Sequence, residues 1–104
     1  MRLIFAVVGC CMSLGSGPVA AQDMTGAEDL YRDTCRNCHG PKAKGMASFP
    51  KLAGLEEDFL AMRLTQYRAG EKVGPNSALM QPNAIDLSDE EIADLARYIS
   101  TSFD

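Results

Sequence analysis

The residues most suited to specific chemistry form a Cys-x-x-Cys-His run, which consists of Cys35, Cys38 and His39. Two thiols one helical turn apart can each add to a vinyl group of one haem, and the imidazole that follows can bind the iron. The alternatives are a redox-active dithiol, a structural zinc site and a disulfide. A dithiol of this kind would need a βαβ context, which is not visible here, and a zinc site would need a second pair of ligands, whereas only two thiols and one imidazole follow residue 21. A disulfide between Cys35 and Cys38 would close too short a loop to stabilise the protein much. We therefore predict a covalently bound haem c at Cys35 and Cys38.

The N-terminal segment has the features of a cleaved secretory signal. Arg2 is followed by an apolar run too short to span a bilayer, and then by small residues that end at Ala21. Residues Val7–Cys10 also resemble a lipoprotein acylation site, but acylation at Cys10 would leave an apolar segment attached after an unusually short signal. We predict that residues 1–21 are removed on export to the periplasm and that residues 22–104 form the mature domain.

Three stretches of the remaining chain carry helix signals, and none alternates like a β-strand for long. The first helix, over about 26–37, opens on a Thr-x-x-Glu capping box, and the second has acids at its start and ends near Gly70. The third opens on a capping box at Ser88 and Glu91. Its apolar stripe contains Ile92, Leu95, Ala96 and Ile99. With 104 residues, 46% of them hydrophobic, the sequence predicts one small all-α domain.

Three segments of the sequence resemble class I c-type cytochromes of the small, soluble, bacterial monohaem kind. They are the attachment run with Gly40, the segment Phe49–Gly54, and Met80 followed by the apolar pattern of residues 87–99. Together they span nearly all of the chain after residue 21. The resemblance implies a small cytochrome c-like fold, in which three or more helices surround one covalently bound haem.

The resemblance also implies roles for individual residues. His39 and Met80 would be the two iron ligands, and the stretch around Met80, which lacks helical periodicity and lies between two prolines, would wrap over the haem face opposite His39. The Pro50 carbonyl would accept the second ring N–H of His39, and Leu52 would pack against the cofactor. Further packing residues would be Phe59, Leu64 and Leu79. The alternative interpretations are that Met80 fills a gap in the core and that Pro50 belongs to a simple turn.

Iron with both axial positions filled has no open site, and the chain has no second His to act as an acid or base. We therefore expect an electron carrier that shuttles electrons between periplasmic redox proteins, and no enzymatic activity of its own. An electron-accepting subunit of a periplasmic dehydrogenase, for example one that oxidises a sulfur compound, is the alternative. A haem sensor or peroxidase would need a vacant sixth position.

Charge is divided unevenly along the chain. Fourteen acidic residues outnumber ten basic ones, and the net charge of −4 argues against a nucleic-acid binder. Between residues 32 and 51, however, only Asp33 opposes a set of basic side chains. They are Arg32, Arg36, Lys42, Lys44 and Lys51. Because this segment contains the haem attachment run, we predict a basic haem-side rim that meets an acidic surface of a redox partner protein. The alternative to a docking rim is that these lysines only keep an exposed loop soluble.

Overall fold

A computed structural model describes residues 25–47 and 49–103, so the predicted signal sequence and Cys10 lie outside the described residues. The first helical segment runs without a break through α1 (Thr25–Leu30), a π-helical turn (Tyr31–Cys35) and α2 (Arg36–His39). The π-turn is closed by the Arg36 N–H, which donates to the Tyr31 carbonyl five residues earlier. The predicted helix is confirmed, but it begins at Thr25 and extends to His39.

Helices α3 (Glu57–Arg68) and α5 (Asp89–Ser102) confirm the second and third predicted helices. Acids occupy the first turn of both helices, where they interact favourably with the helix dipole. At the start of α5 the Ser88 hydroxyl accepts the Glu91 N–H, and the Glu91 carboxylate accepts the Ser88 N–H, each at 3.0 Å. The predicted capping box is therefore present, and the apolar stripe of α5 is buried.

A further helix, α4 (Ser77–Ala84), lies where the sequence predicts a non-helical stretch around Met80. Two features explain the difference. The Ser77 hydroxyl accepts the backbone N–H groups of Val73 and Gly74, each at 2.9 Å, and so folds the preceding turn. Pro82 lies near the end of this short helix, where it removes only one backbone hydrogen bond. The chain around Met80 is therefore helical in spite of its weak periodicity.

Helix α5 packs against both α1 and α3, and α3 also packs against α4. The core cluster consists of Tyr31, Ala43, Ala53, Leu60, Leu95, Ala96 and Ile99. Apart from one isolated bridge between Met46 and Phe49, the described residues form no β-structure, which confirms the all-α prediction. None of the helices in residues 25–47 and 49–103 is long and apolar enough to cross a membrane.

Candidate haem site

The two cysteines of the attachment run lie at the junction of the π-turn and α2, and both thiols are free and half-buried. Burial, reinforced by the neighbouring Cys38, raises the pKa of the Cys35 thiol from 9.0 to about 11. A redox-active dithiol needs a stabilised thiolate, so these surroundings disfavour that interpretation. The described residues also contain no cluster of His, Cys, Asp or Glu suited to a metal ion, which disfavours a zinc site.

A cavity of about 460 Å³ opens beside these cysteines. All six predicted site residues line it: Cys35, Cys38, His39, Pro50, Leu52 and Met80. So do the predicted packing residues Phe59, Leu64 and Leu79. Further apolar side chains from α1, α3 and α5 complete the wall, and the volume lies within the range of about 300–1,000 Å³ that is typical of cofactor sites. The fold therefore gathers residues from widely separated parts of the sequence around one apolar space.

His39 is buried, and its ring is held by one hydrogen bond from Nδ1 to the Pro50 carbonyl at 2.8 Å. A carbonyl oxygen can only accept, so Nδ1 carries the proton and the neutral ring keeps its lone pair on Nε2. This tautomer suits a metal ligand, because Nε2 is available to bind a metal while the Nδ1–H is held by a carbonyl. The chain lacks any other histidine, so no other imidazole could serve.

Met80 reaches the cavity from α4, whereas His39 reaches it from α2. The start of the Met80 helix, α4, is held by the buried Ser77, whose hydroxyl accepts hydrogen bonds from the preceding turn. The sequence pattern does not predict this role. A serine that directly follows a Gly-Pro-Asn turn is a local helix-start signal that could have revealed it. By contrast, Met62 on α3 and Met46 in the loop after α2 are exposed and lie outside the cavity wall.

Tyr31 makes a hydrogen bond that the sequence does not reveal. Its hydroxyl donates to the carbonyl of Gly40, which directly follows His39, at 2.6 Å. Its ring lies 5.9 Å from the Tyr98 ring and 5.1 Å from the Phe103 ring, between centroids. Tyr31 therefore joins the end of the attachment segment to the contact between the first and last helices.

The charge of the cavity wall is opposite to that of the protein as a whole. Among residues 25–47 and 49–103, the charged side chains that line it are Lys51 and Arg63, and no Asp or Glu does so. Arg63 lies over the Phe59 ring at 5.2 Å and donates to the Gln66 side chain at 3.0 Å. A haem presents a large apolar ring and two carboxylates, so apolar walls with basic side chains suit it. Two thiols can form the covalent bonds to the haem vinyl groups, and one imidazole nitrogen and one thioether sulfur can bind the iron, so the cavity contains the groups that a covalently attached haem requires.

Comparisons with known proteins point to the same cofactor. The sequence model of the family "Cytochrome c" matches residues 25–103. Cytochrome c-554(547) of Halothiobacillus neapolitanus is 37% identical over 89 residues, which cover 78% of this chain and 98% of that protein. A thiosulfate dehydrogenase electron acceptor of Stutzerimonas stutzeri is 43% identical over 60 residues, which cover 56% of this chain and 26% of that protein.

Among solved structures, reduced cytochrome c4 from Pseudomonas stutzeri has a similar fold. The TM-score is 0.66 at 31% sequence identity. The match covers 75% of this chain and 46% of the cytochrome c4 chain, so the likeness is to about half of that protein. Fold, cavity and sequence all indicate one covalently bound haem c used for electron transfer, and this chain belongs to the cytochrome c family.

Proposed function

We propose that this chain is a periplasmic carrier of single electrons, in which Cys35 and Cys38 hold one haem c by thioether bonds and His39 and Met80 ligate its iron. The observation that carries the proposal is that these four side chains line one apolar cavity. When bound, the haem supplies the one-electron redox chemistry of its iron. The chain itself supplies the ligands, the orientation of the imidazole and the exclusion of water.

The proposed iron ligands explain why we expect electron transfer without catalysis. An imidazole and a thioether would fill both axial positions, so no position would remain for oxygen or peroxide. Both ligands are neutral, and the surrounding wall is largely apolar. Such a site disfavours the additional charge of the ferric state, and we expect a fairly high reduction potential.

The axial ligands are tested by absorption spectra of the purified holoprotein in both oxidation states. We expect Met80→Ala to abolish the weak near-infrared sulfur-to-iron band of the ferric form and to lower the potential. Met62→Leu is the matched control, because Met62 is exposed and lies outside the cavity wall. Loss of the band in Met62→Leu and its retention in Met80→Ala would refute the assignment.

Attachment is tested by extracting the holoprotein with acidified solvent. We expect the haem to stay with the polypeptide, because thioether bonds to Cys35 and Cys38 resist such treatment. We also expect Cys35→Ala to give little stable holoprotein. Recovery of free haem from the intact protein would contradict covalent attachment.

The proposed docking surface is the basic haem-side rim, whose basic side chains differ in how far nearby carboxylates compensate their charge. Arg32 forms ion pairs with Glu28 and Asp29 at 3.1 and 3.5 Å, so its charge is largely compensated. The remaining basic residues of the rim are Arg36, Lys42, Lys44 and Lys51, and all of them are exposed. Lys51 also lines the cavity, which supports electrostatic docking close to the cofactor.

Salt dependence tests this rim without knowledge of the natural partner. Oxidation of the reduced protein by hexacyanoferrate(III), an anion, should slow as ionic strength rises, because salt screens its attraction to the rim. Lys42→Glu combined with Lys44→Glu should slow the reaction more than it changes the potential. The control Arg97→Glu changes charge on α5, outside the cavity wall. A rate that is indifferent to salt, or that rises with it, would contradict the attraction of the anion to the basic rim.

A second candidate function is that of a dedicated electron-accepting subunit of a dehydrogenase. The similarity to a thiosulfate dehydrogenase electron acceptor supports it, although that match covers 56% of this chain. The two functions differ in how the protein occurs in native extracts. A free monomer on size-exclusion chromatography would support the shuttle, and stable copurification with a dehydrogenase would support the subunit.

A further inference from the structure

The loop that follows His39 has an unusual backbone. Residues with φ in the left-handed region recur along it: Gly40, Ala43, Gly45, Ala47 and Gly54. The loop nevertheless packs tightly, since the carbonyl of the fully buried Ala43 accepts the N–H groups of Leu52 and Ala53 at 2.8 and 2.9 Å. Left-handed conformations at non-glycine residues cost free energy and persist only where the surrounding structure enforces them. The path of this loop is therefore closely determined.

Gly45 lies at the tightest point of the loop. Its φ is +76°, and a Cβ atom at this position would lie 2.5 Å from the Phe49 carbonyl oxygen and 2.9 Å from both the Pro50 carbonyl carbon and the Lys51 nitrogen. All three atoms belong to the backbone, so no side-chain rotation could relieve the overlap. Glycine is consequently required here both by conformation and by space.

Gly45 contacts the backbone of both residues that form the His39–Pro50 hydrogen bond. Its own N–H donates to the His39 carbonyl at 2.8 Å. Its α-carbon lies against the Pro50 peptide, whose carbonyl accepts the His39 Nδ1 proton at 2.8 Å. Gly45 thus lies between the backbone of the histidine and the group that orients the ring of the same histidine.

We propose that Gly45 is a positioning residue that sets the Pro50 carbonyl at hydrogen-bonding distance from the His39 ring, an inference that rests on the proposed role of His39 as an iron ligand. A side chain at residue 45 must displace the Pro50 peptide and so weaken this hydrogen bond. A more weakly held Nδ1–H makes the imidazole a poorer electron donor. The ferric state is then less stabilised, and the reduction potential rises.

The experiment compares Gly45→Ala with Gly70→Ala in the holoprotein. Gly70 has nearly the same φ, +78°, but a Cβ there meets nothing within 4 Å, so this variant carries the backbone cost without the contact. We expect a more positive potential in Gly45→Ala than in Gly70→Ala. We also expect the His39 ring N–H, followed by NMR, to exchange about tenfold faster or more. Equal potentials and equal exchange rates in the two variants would overturn the proposal.

If Gly45→Ala yields no holoprotein, exchange in the unmodified protein provides the test. The Gly45 amide and the His39 ring N–H should then open together, with the same dependence on denaturant. A Gly45 amide that exchanges independently of the ring proton would overturn the proposal. Failure of the proposed function is distinguishable, since it would appear in the spectrum of the unmodified protein. Failure of the present inference would leave that spectrum normal.

Discussion

Tyr31→Phe removes a single hydroxyl group from the interior of the protein. Tyr31 is only 3% exposed, and its hydroxyl donates to the Gly40 carbonyl at 2.6 Å. Phenylalanine keeps the ring, and with it the contacts to Tyr98 and Phe103. The substitution therefore isolates one buried hydrogen bond and leaves the packing of the aromatic cluster in place.

The expected cost follows from what the substitution leaves behind. The Gly40 carbonyl loses its Tyr31 donor but keeps the Ala43 N–H, which donates to it at 3.2 Å. The cost is therefore that of one hydrogen bond, about 0.5–1.5 kcal/mol, and not that of an unpartnered carbonyl. In a domain of this size each kcal/mol lowers the melting temperature by about 4–8 °C. We therefore expect Tyr31→Phe to melt about 2–12 °C below the unmodified holoprotein at pH 7.

The effect should depend on pH in a defined direction. Burial, with smaller contributions from the charges of Cys35 and Tyr98, raises the pKa of Tyr31 from 10.0 to about 12. In the attached protein Cys35 would be an uncharged thioether, so burial and the smaller contribution of Tyr98 are the causes that remain. Because the folded pKa lies above the unfolded one, the stabilisation is fully present below pH 10 and is lost as pH rises towards 12. The two proteins should therefore converge in stability above pH 10.

Guanidinium unfolding of the holoprotein, followed by far-UV circular dichroism, measures this difference. Tyr98→Phe is the matched control, because it makes the same chemical change in the same aromatic cluster. Within the described residues the Tyr98 hydroxyl makes no hydrogen bond, and we expect a change below about 0.5 kcal/mol. If Tyr31→Phe were as stable as the unmodified protein at pH 7, the hydrogen bond to Gly40 would not contribute as argued.

Two further predictions concern the helices that frame the site, and thermal unfolding measures both. Ser88→Ala should cost about 1 kcal/mol, because it removes the hydroxyl that caps α5 through the Glu91 N–H; Ser102→Ala, at the exposed end of α5, should change little. Ala27→Leu should cost about 1–3 kcal/mol, because Ala27 is the buried residue of α1, which packs against α5. Ala93→Leu places the same side chain on an exposed position of α5 and serves as its control, so equal losses in both would argue against close packing at Ala27.

The elements that the sequence predicts correctly are those defined by local signals. The capping box at Ser88, the apolar stripe of α5 and the stop at Gly70 act over a few residues, so they can be read without a fold. The π-turn and α4 depend on contacts that local patterns do not show. The π-turn requires the Arg36 N–H to bond across five residues, and α4 requires Ser77 to fold the turn before it.

The same distinction applies to the site. Spacing alone identifies Cys35, Cys38 and His39, and the family resemblance adds Pro50 and Met80, all of which the structure brings to one cavity. The roles of Gly45 and of the Tyr31 hydroxyl are not apparent from the sequence, for a different reason. A glycine and a tyrosine carry no distinctive chemistry, and what they do follows from which backbone atoms lie beside them. Those neighbours exist only once the loop after His39 has folded.

The cavity also explains how so short a chain can fold. Leu95 is the largest fully buried side chain among the described residues, whereas Phe59 and Leu79 in the cavity wall are 38% and 55% exposed. A domain of this size buries only about 60% of its unfolded surface and usually needs an added source of stability. A covalently held haem would cover these apolar side chains from within. The residues proposed to bind the cofactor would therefore also complete the core, so that loss of attachment should cost the fold as well as the electron-transfer activity.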